Sequence, residues 1–145
     1  MLDNLKVQTE LKARNSDYTF SVIMFDLDHF KQKNDKYGHE AGDRILIELV
    51  DELGSQVRQT DLLARWGGEE FMILMPHTST ETGKHLAERI RHHIEEHLFS
   101  EPPHLTISIG LTFLQSGDSL ESFVIRADDA LYQAKNSGRN LVVVI

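Results

Sequence analysis

From Phe20 to Asp28 the chain reads FSVIMFDLD, apolar at most positions until it ends in acid. Apolarity that continuous predicts a central strand buried on both faces. Before it, Leu2, Leu5, Val7 and Leu11 make an imperfect helical stripe up to Arg14. After it, HFKQKNDKYGHEAGD gives a short helical stretch broken by YGH and AGD. From Asp43 the residues Ile45, Leu46, Leu49, Val50, Leu53 and Val57 recur at spacings of three and four, which predicts an amphipathic helix. LLARW and FMILMP flank Gly67 and Gly68 and form two strands joined by a glycine turn, the second ended by Pro76.

The second half keeps interleaving the two periods. TSTETGKHLAERIRHHIEEHL opens with capping residues and packs through Leu86, Ile90, Ile94 and Leu98. In LTISIGLTFL, Thr106, Ser108 and Gly110 alternate with Leu105, Ile107, Ile109 and Leu111, the signature of a strand. SLESFVIRADDALYQAKNSG is a capped helix closed by glycine before a last strand, NLVVVI. The order helix, strand, two helices, hairpin, helix, strand, helix, strand implies a mixed sheet covered by helices.

Composition narrows the class. A chain of 145 residues, 40% hydrophobic and 26% charged, fills one globular domain and leaves little room for two. Without cysteine it has neither a disulfide framework nor a zinc-thiolate site, which points to a reducing compartment. Its longest apolar runs, such as Phe71 to Met75, fall far short of the ~20 residues that span a bilayer, and the start does not resemble a secretory signal. A net charge of −8 disfavours a nucleic acid polymer as partner. Nucleotides remain open, because carboxylates that hold divalent cations invert the local charge.

The acids that bear on this are Asp26 and Asp28 at the end of the first strand, Asp43 at the start of a helix, and Glu69 and Glu70 in RWGGEEF, residues 65–71. Mg²⁺ takes one or two protein carboxylates and leaves its other positions to water and phosphate, so Asp26 and Glu69 suit it if the hairpin lies beside the first strand. The competing reading is a set of solvated turn acids.

RWGGEEF resembles the signature of GGDEF domains, the diguanylate cyclases that condense two GTP molecules into cyclic di-GMP with release of pyrophosphate. FDLDHFKQKNDKYGHEAGD is similar to the family's first-strand and nucleotide-binding segment, RQTD to its product-inhibition motif, LTISIG to its later strand, and ADDALYQAKNSGRN to its closing helix. These segments follow in the family's order from about Phe20 onward. The fold implied is an α/β (α+β) domain with a central, mixed, mostly antiparallel five-stranded sheet flanked by helices, nucleotidyl-cyclase-like, with the signature on a β-hairpin.

The resemblance also implies roles. Asp26 and Glu69, helped by the backbone carbonyl of Leu27, are expected to bind two divalent cations, Mg²⁺ or Mn²⁺. Glu70 is expected to assist deprotonation of the ribose 3′-hydroxyl or to complete the metal shell. Asn34 and Asp43 are expected to bind the guanine edge, and Gly67 and Gly68 to admit the nucleotide close to the backbone. Phe30 and Lys31, after His29, open a helix whose N–H groups favour phosphate, with Lys135 and Arg139 adding positive charge. Arg58 and Asp61, with Arg89, correspond to the inhibitory site for cyclic di-GMP.

Catalysis in this family needs a homodimer, each domain holding one GTP. The family segment D-x-L-T-G-L-x-N-R-R does not occur, so residues 1–145 are expected to be a single GGDEF domain excised from a longer signalling protein with an upstream sensory or regulatory domain. The expected setting is cytoplasmic, within a full-length protein either soluble or membrane-anchored. Glu69 stands where the family name has Asp, a substitution compatible with activity. The alternative is a catalytically inactive module that senses GTP or cyclic di-GMP for a partner domain. His93 and His97 in HIEEH lie at i and i+4, but without a glutamate directly after the first histidine they are taken as a solvated helix face rather than a zinc site. His39 is given no catalytic role, and Trp66 and Phe71 are assigned to hairpin packing.

Overall fold

The computed structural model describes residues 2–145, all but the side chain of Leu2, so that member of the N-terminal stripe lies outside what is described. The elements are α1 (Leu2–Arg14), β1 (Phe20–Leu27), α2 (Phe30–Tyr37), α3 (His39–Gly54), β2 (Leu62–Gly67), β3 (Glu70–Pro76), α4 (Thr80–Glu96), β4 (Ile107–Phe113), α5 (Leu120–Asn136) and β5 (Val142–Val144). The strands form one sheet in the order β2-β3-β1-β4-β5. Every pairing is antiparallel except β4 with β5, so the mixed, mostly antiparallel five-stranded sheet expected from the sequence is present.

β1 is central, and all eight of its residues are buried. Its side chains divide by the period of a strand. Ile23, Phe25 and Leu27 join Ile45, Leu49 and Leu53 of α3 and Leu86, Ile90 and Ile94 of α4 on one face. Val22 and Met24 join Leu5 of α1 and Phe123, Ala127 and Leu131 of α5 on the other. Burying one such side chain is worth ~1.5–3 kcal/mol, so both layers hold the strand firmly and fix where its end emerges.

Two glycines permit close approaches. A Cβ on Gly110 of β4 would lie 2.3 Å from the backbone nitrogen of Leu131, which is how α5 packs so closely on the sheet. A Cβ on Gly42 would lie 1.7 Å from Asn34 Oδ1, so the missing side chain is what lets α2 meet α3. This corrects the expected boundary: AGD does not break the helix, and α3 starts at His39 rather than Asp43.

Two further expectations fail at helix ends. Leu98 lies beyond α4 and is 67% exposed, while Phe99 takes the buried position. Val57 lies past α3, and Val50 faces partly outward. In α1, Leu5 is buried but Val7 and Leu11 are exposed, so the imperfect stripe reflects a helix held at one point. The caps are as expected: Ser79 accepts from the Thr82 N–H, and Ser119 with Ser122 closes a reciprocal box at α5. No helix among the described residues is long and apolar enough to cross a membrane.

Candidate active site

The hairpin lies beside the central strand. In the antiparallel register of β1 and β3, Asp26 stands directly opposite Glu70, which puts both side chains on the same face of the sheet. The β2–β3 ladder is irregular between Arg65 and Gly67, and Gly68 turns with φ 50°, a left-handed conformation that glycine adopts at little cost. Arg65 Nε donates to the Gly68 carbonyl at 2.6 Å and closes the turn. Glu69 is thereby brought to a cavity of about 270 Å³ that it lines with Asp26, Leu27, Phe30, Lys31, Lys135 and Arg139, together with Asp28, His29 and Gln32. A larger, mostly apolar groove of about 400 Å³ between α3 and the hairpin contains none of the expected site residues.

Asp26 is the electrostatic centre of the cavity. It is 5% exposed, and only one of its oxygens has a partner: Oδ2 accepts from Lys135 Nζ at 2.5 Å, while Oδ1 is buried with none. Burial pushes its carboxyl up to about 6; Lys135 opposes the shift, and the charges of Glu69 and Glu70 add to it. An unpartnered buried oxygen beside two further carboxylates, with one lysine as counterion, suits a hard divalent cation with oxygen ligands.

Asp28 is different. Oδ1 accepts from Ser108 Oγ at 2.6 Å, and Oδ2 accepts from Thr106 Oγ1 at 2.7 Å and the Asn140 N–H at 3.0 Å. It ties the end of β1 to β4 and to the turn after α5, where Arg139 and Asn140 both have positive φ. Asn140 also accepts from Arg91 and donates to Glu95, so the turn carrying Arg139 is braced from α4 as well. This bracing was not visible in the sequence, because its partners lie far apart along the chain.

Of the remaining expected residues, Phe30 and Lys31 line the cavity, whereas Asn34, Asp43, Gly67 and Gly68 do not. At the start of α2, His29 is left-handed (φ 58°) and makes no side-chain cap, so its side chain leaves the first-turn N–H groups free. Asn34 and Asp43 stand on neighbouring helices outside the cavity lining; Asp43 is exposed, and Asn34 Oδ1 is buried against Gly42 without a partner. Gly67 and Gly68 are exposed in the hairpin, Trp66 is half-buried, and Phe71 is buried in a stack with Phe25 at 5.3 Å.

At the other end of α3, Arg58 forms a fork on Asp61, with Nη2 to Oδ1 at 2.8 Å and Nε to Oδ1 at 3.1 Å, and also reaches Thr78 Oγ1 at 2.7 Å. Arg89 Nη2 donates to the Gln56 carbonyl at 2.6 Å, so both arginines meet at the segment that follows α3. His93 and His97 are not a solvated face. His93 Nε2 lies 2.8 Å from Glu52 Oε2, and His97 Nε2 lies 3.3 Å from Glu48 Oε1.

Comparison with known proteins places this geometry. Residues 1–141 match the family described as diguanylate cyclase, GGDEF domain. The chain is 44% identical over 124 residues to diguanylate cyclase DgcM of Escherichia coli K12, an alignment covering 86% of this chain and 30% of that protein. The GGDEF domain of DgcB from Caulobacter crescentus, solved in complex with c-di-GMP, superposes with a TM-score of 0.91 at 29% identity, over 98% of this chain and 86% of that one. The active GGEEF domain of a diguanylate cyclase from Vibrio cholerae does so with a TM-score of 0.89 at 34% identity, over 99% and 92%. The fold is thus shared with these domains, and the chain belongs to the GGDEF diguanylate cyclase family. It spans about a third of the length of DgcM.

Proposed function

We propose that this domain is a GTP-dependent diguanylate cyclase. The observation that carries the reading is the unpartnered, buried Oδ1 of Asp26, opposite Glu70 and beside Glu69 in a cavity whose rim holds Lys135, Arg139 and the start of α2. Asp26, Glu69 and Glu70, with the carbonyl of Leu27, would hold divalent cations, Mg²⁺ or Mn²⁺, which when bound supply the positive charge that offsets the triphosphate and the departing pyrophosphate. Lys135 now neutralises Asp26, and with that carboxylate otherwise satisfied its ammonium is free to turn to phosphate oxygens. Arg139 and the N–H groups at the start of α2, which line the same cavity, hold the same phosphates.

In each half of the reaction, a 3′-hydroxyl oxygen of one GTP forms a bond to the α-phosphorus of the other. Its proton leaves toward Glu70, and the bond from that phosphorus to the bridging oxygen breaks as pyrophosphate departs. One domain holds one nucleotide, so two domains meet as a homodimer to close the ring, and positioning supplies much of the rate. For guanine, Asp43 accepts from N1–H and the 2-amino group; Asn34 complements the rest of the edge once its side chain turns out of its contact with Gly42. Arg58, Asp61 and Arg89 form the site at which cyclic di-GMP inhibits, away from the catalytic cavity. The chain acts as one GGDEF domain, residues 1–141 matching the family, within a longer protein whose upstream domain brings two copies together.

Incubation of concentrated protein with GTP and Mg²⁺, followed by chromatography, should show cyclic di-GMP. Nucleotide binding without any product at concentrations where the protein is dimeric would overturn the cyclase reading and leave a sensing module.

A further inference from the structure

The histidine pair of α4 has partners that the sequence did not reveal. His93 lies in the last turn of α4 and His97 directly follows it, their rings roughly parallel with centroids 6.2 Å apart. Glu52, in the last turn of α3, faces both: its Oε2 lies 2.8 Å from His93 Nε2 and 3.4 Å from His97 Nδ1. One ligand atom from each of Glu52, His93 and His97 can be chosen so that all three lie within 4.8 Å of one another. A tetrahedral zinc ion with bonds of about 2.0–2.1 Å sets its ligand atoms about 3.4 Å apart, a closure within reach of small side-chain rotations.

The surroundings support a ligand set rather than a chance meeting. His97 packs edge-on against buried Phe99 with centroids 4.5 Å apart, which fixes its ring. Glu48 is a second carboxylate at the same ring, 3.3 Å from His97 Nε2. An open depression lined by His93, Glu96, His97 and Leu98 gives solvent, and hence an ion, direct access. Two imidazoles with one carboxylate suit zinc-class ions, whereas Mg²⁺ prefers oxygen donors alone.

We propose that Glu52, His93 and His97, with Glu48 at hand as a further oxygen donor, form a binding site for Zn²⁺ or a similar transition-metal ion that clamps the C-terminal ends of α3 and α4. The site is separate from the carboxylates at the end of β1, and it lies one helical turn beyond Arg89 on α4. Without the ion, the same side chains hold the helices by direct His–Glu hydrogen bonds, so the ion exchanges one cross-link for a stronger one.

The test is calorimetric titration of the untagged full chain with Zn²⁺ alone, in buffer containing millimolar Mg²⁺ to occupy the carboxylates of the catalytic cavity. One equivalent should bind, and His93→Ala and His97→Ala should each weaken that binding by at least ~10–100-fold, since even outer partners of metal ligands cost that much. Glu52→Gln, which keeps the shape and a hydrogen-bonding group at the helix contact, should weaken it comparably. His92→Ala, on the same helix but outside the cluster, should leave it unchanged. Co²⁺ added in place of Zn²⁺ should develop the intense visible absorption of a tetrahedral site in the wild type and lose it in Glu52→Gln. Equal Zn²⁺ affinity in wild type, His97→Ala and Glu52→Gln, or no stoichiometric binding to the folded wild type, would overturn the proposal.

Discussion

Asp26 and Asp28 stand two residues apart where β1 emerges from the core, and both are almost fully buried, at 5% and 4% exposure. Their surroundings differ. Asp28 receives two hydroxyls and a backbone N–H, which satisfy both oxygens and fasten three segments together. Asp26 receives a single lysine, keeps one oxygen without a partner, and faces two more carboxylates. Residue type and burial are the same, so the donors decide. Asp28 is a structural anchor, and Asp26 is a carboxylate left short of positive charge where a cation would complete it.

Substitutions at the two positions should therefore have opposite consequences. The largest effect expected is on turnover: Asp26→Asn should lower cyclic di-GMP formation by about 10³-fold or more while leaving the circular dichroism spectrum unchanged. Near-normal activity in that variant would take Asp26 out of the chemistry. Asp28→Ala should instead act on stability, since it leaves two hydroxyls and an N–H unsatisfied. A loss of about 3 kcal/mol, or a melting temperature lower by about 8 °C, is expected. If Asp28→Ala melts like the wild type, the contrast between the two acids fails.

A smaller effect should appear in the metal-free protein as a function of pH. Because the folded Asp26 carboxyl is raised to about 6 from 3.8, its contribution favours folding at low pH and is lost as pH rises through about 6. Asp26→Asn should remove that slope and stabilise the metal-free domain at pH 7 by ~1–2 kcal/mol, measured by urea unfolding. The smallest stability change, within ~1 kcal/mol, is expected for Arg58→Ala, because its fork with Asp61 is partly exposed. Its signature should be relief of product inhibition in a cyclase assay, and unchanged inhibition would remove Arg58 from the control site.

Much of this architecture was legible in the residues. The apolar run into Asp26 and the glycine turn before Glu69 predicted a buried central strand and a hairpin, but their adjacency was left open; the register supplies it by placing Asp26 opposite Glu70. The caps at Ser79 and Ser119 were legible because capping is local. What was lost depends on tertiary contacts. Gly42 looked like a helix breaker, whereas its missing side chain admits Asn34. Leu98 fitted the helical period, but α4 ends first and Phe99 is buried instead. His93 and His97 looked solvated because their spacing describes one helix and not the neighbour that presents Glu48 and Glu52. Asp28 was grouped with Asp26 as an acid at the strand's end and given no role, since the donors that satisfy it lie beyond residue 105.

If Asp26 holds a cation under a triphosphate, the melting temperature of the domain with a non-reactive GTP analogue as Mg²⁺ is increased shows it most directly. Wild type should gain stability with each addition until saturation, and Asp26→Asn should gain almost none. Equal gains in the two proteins would contradict the claim.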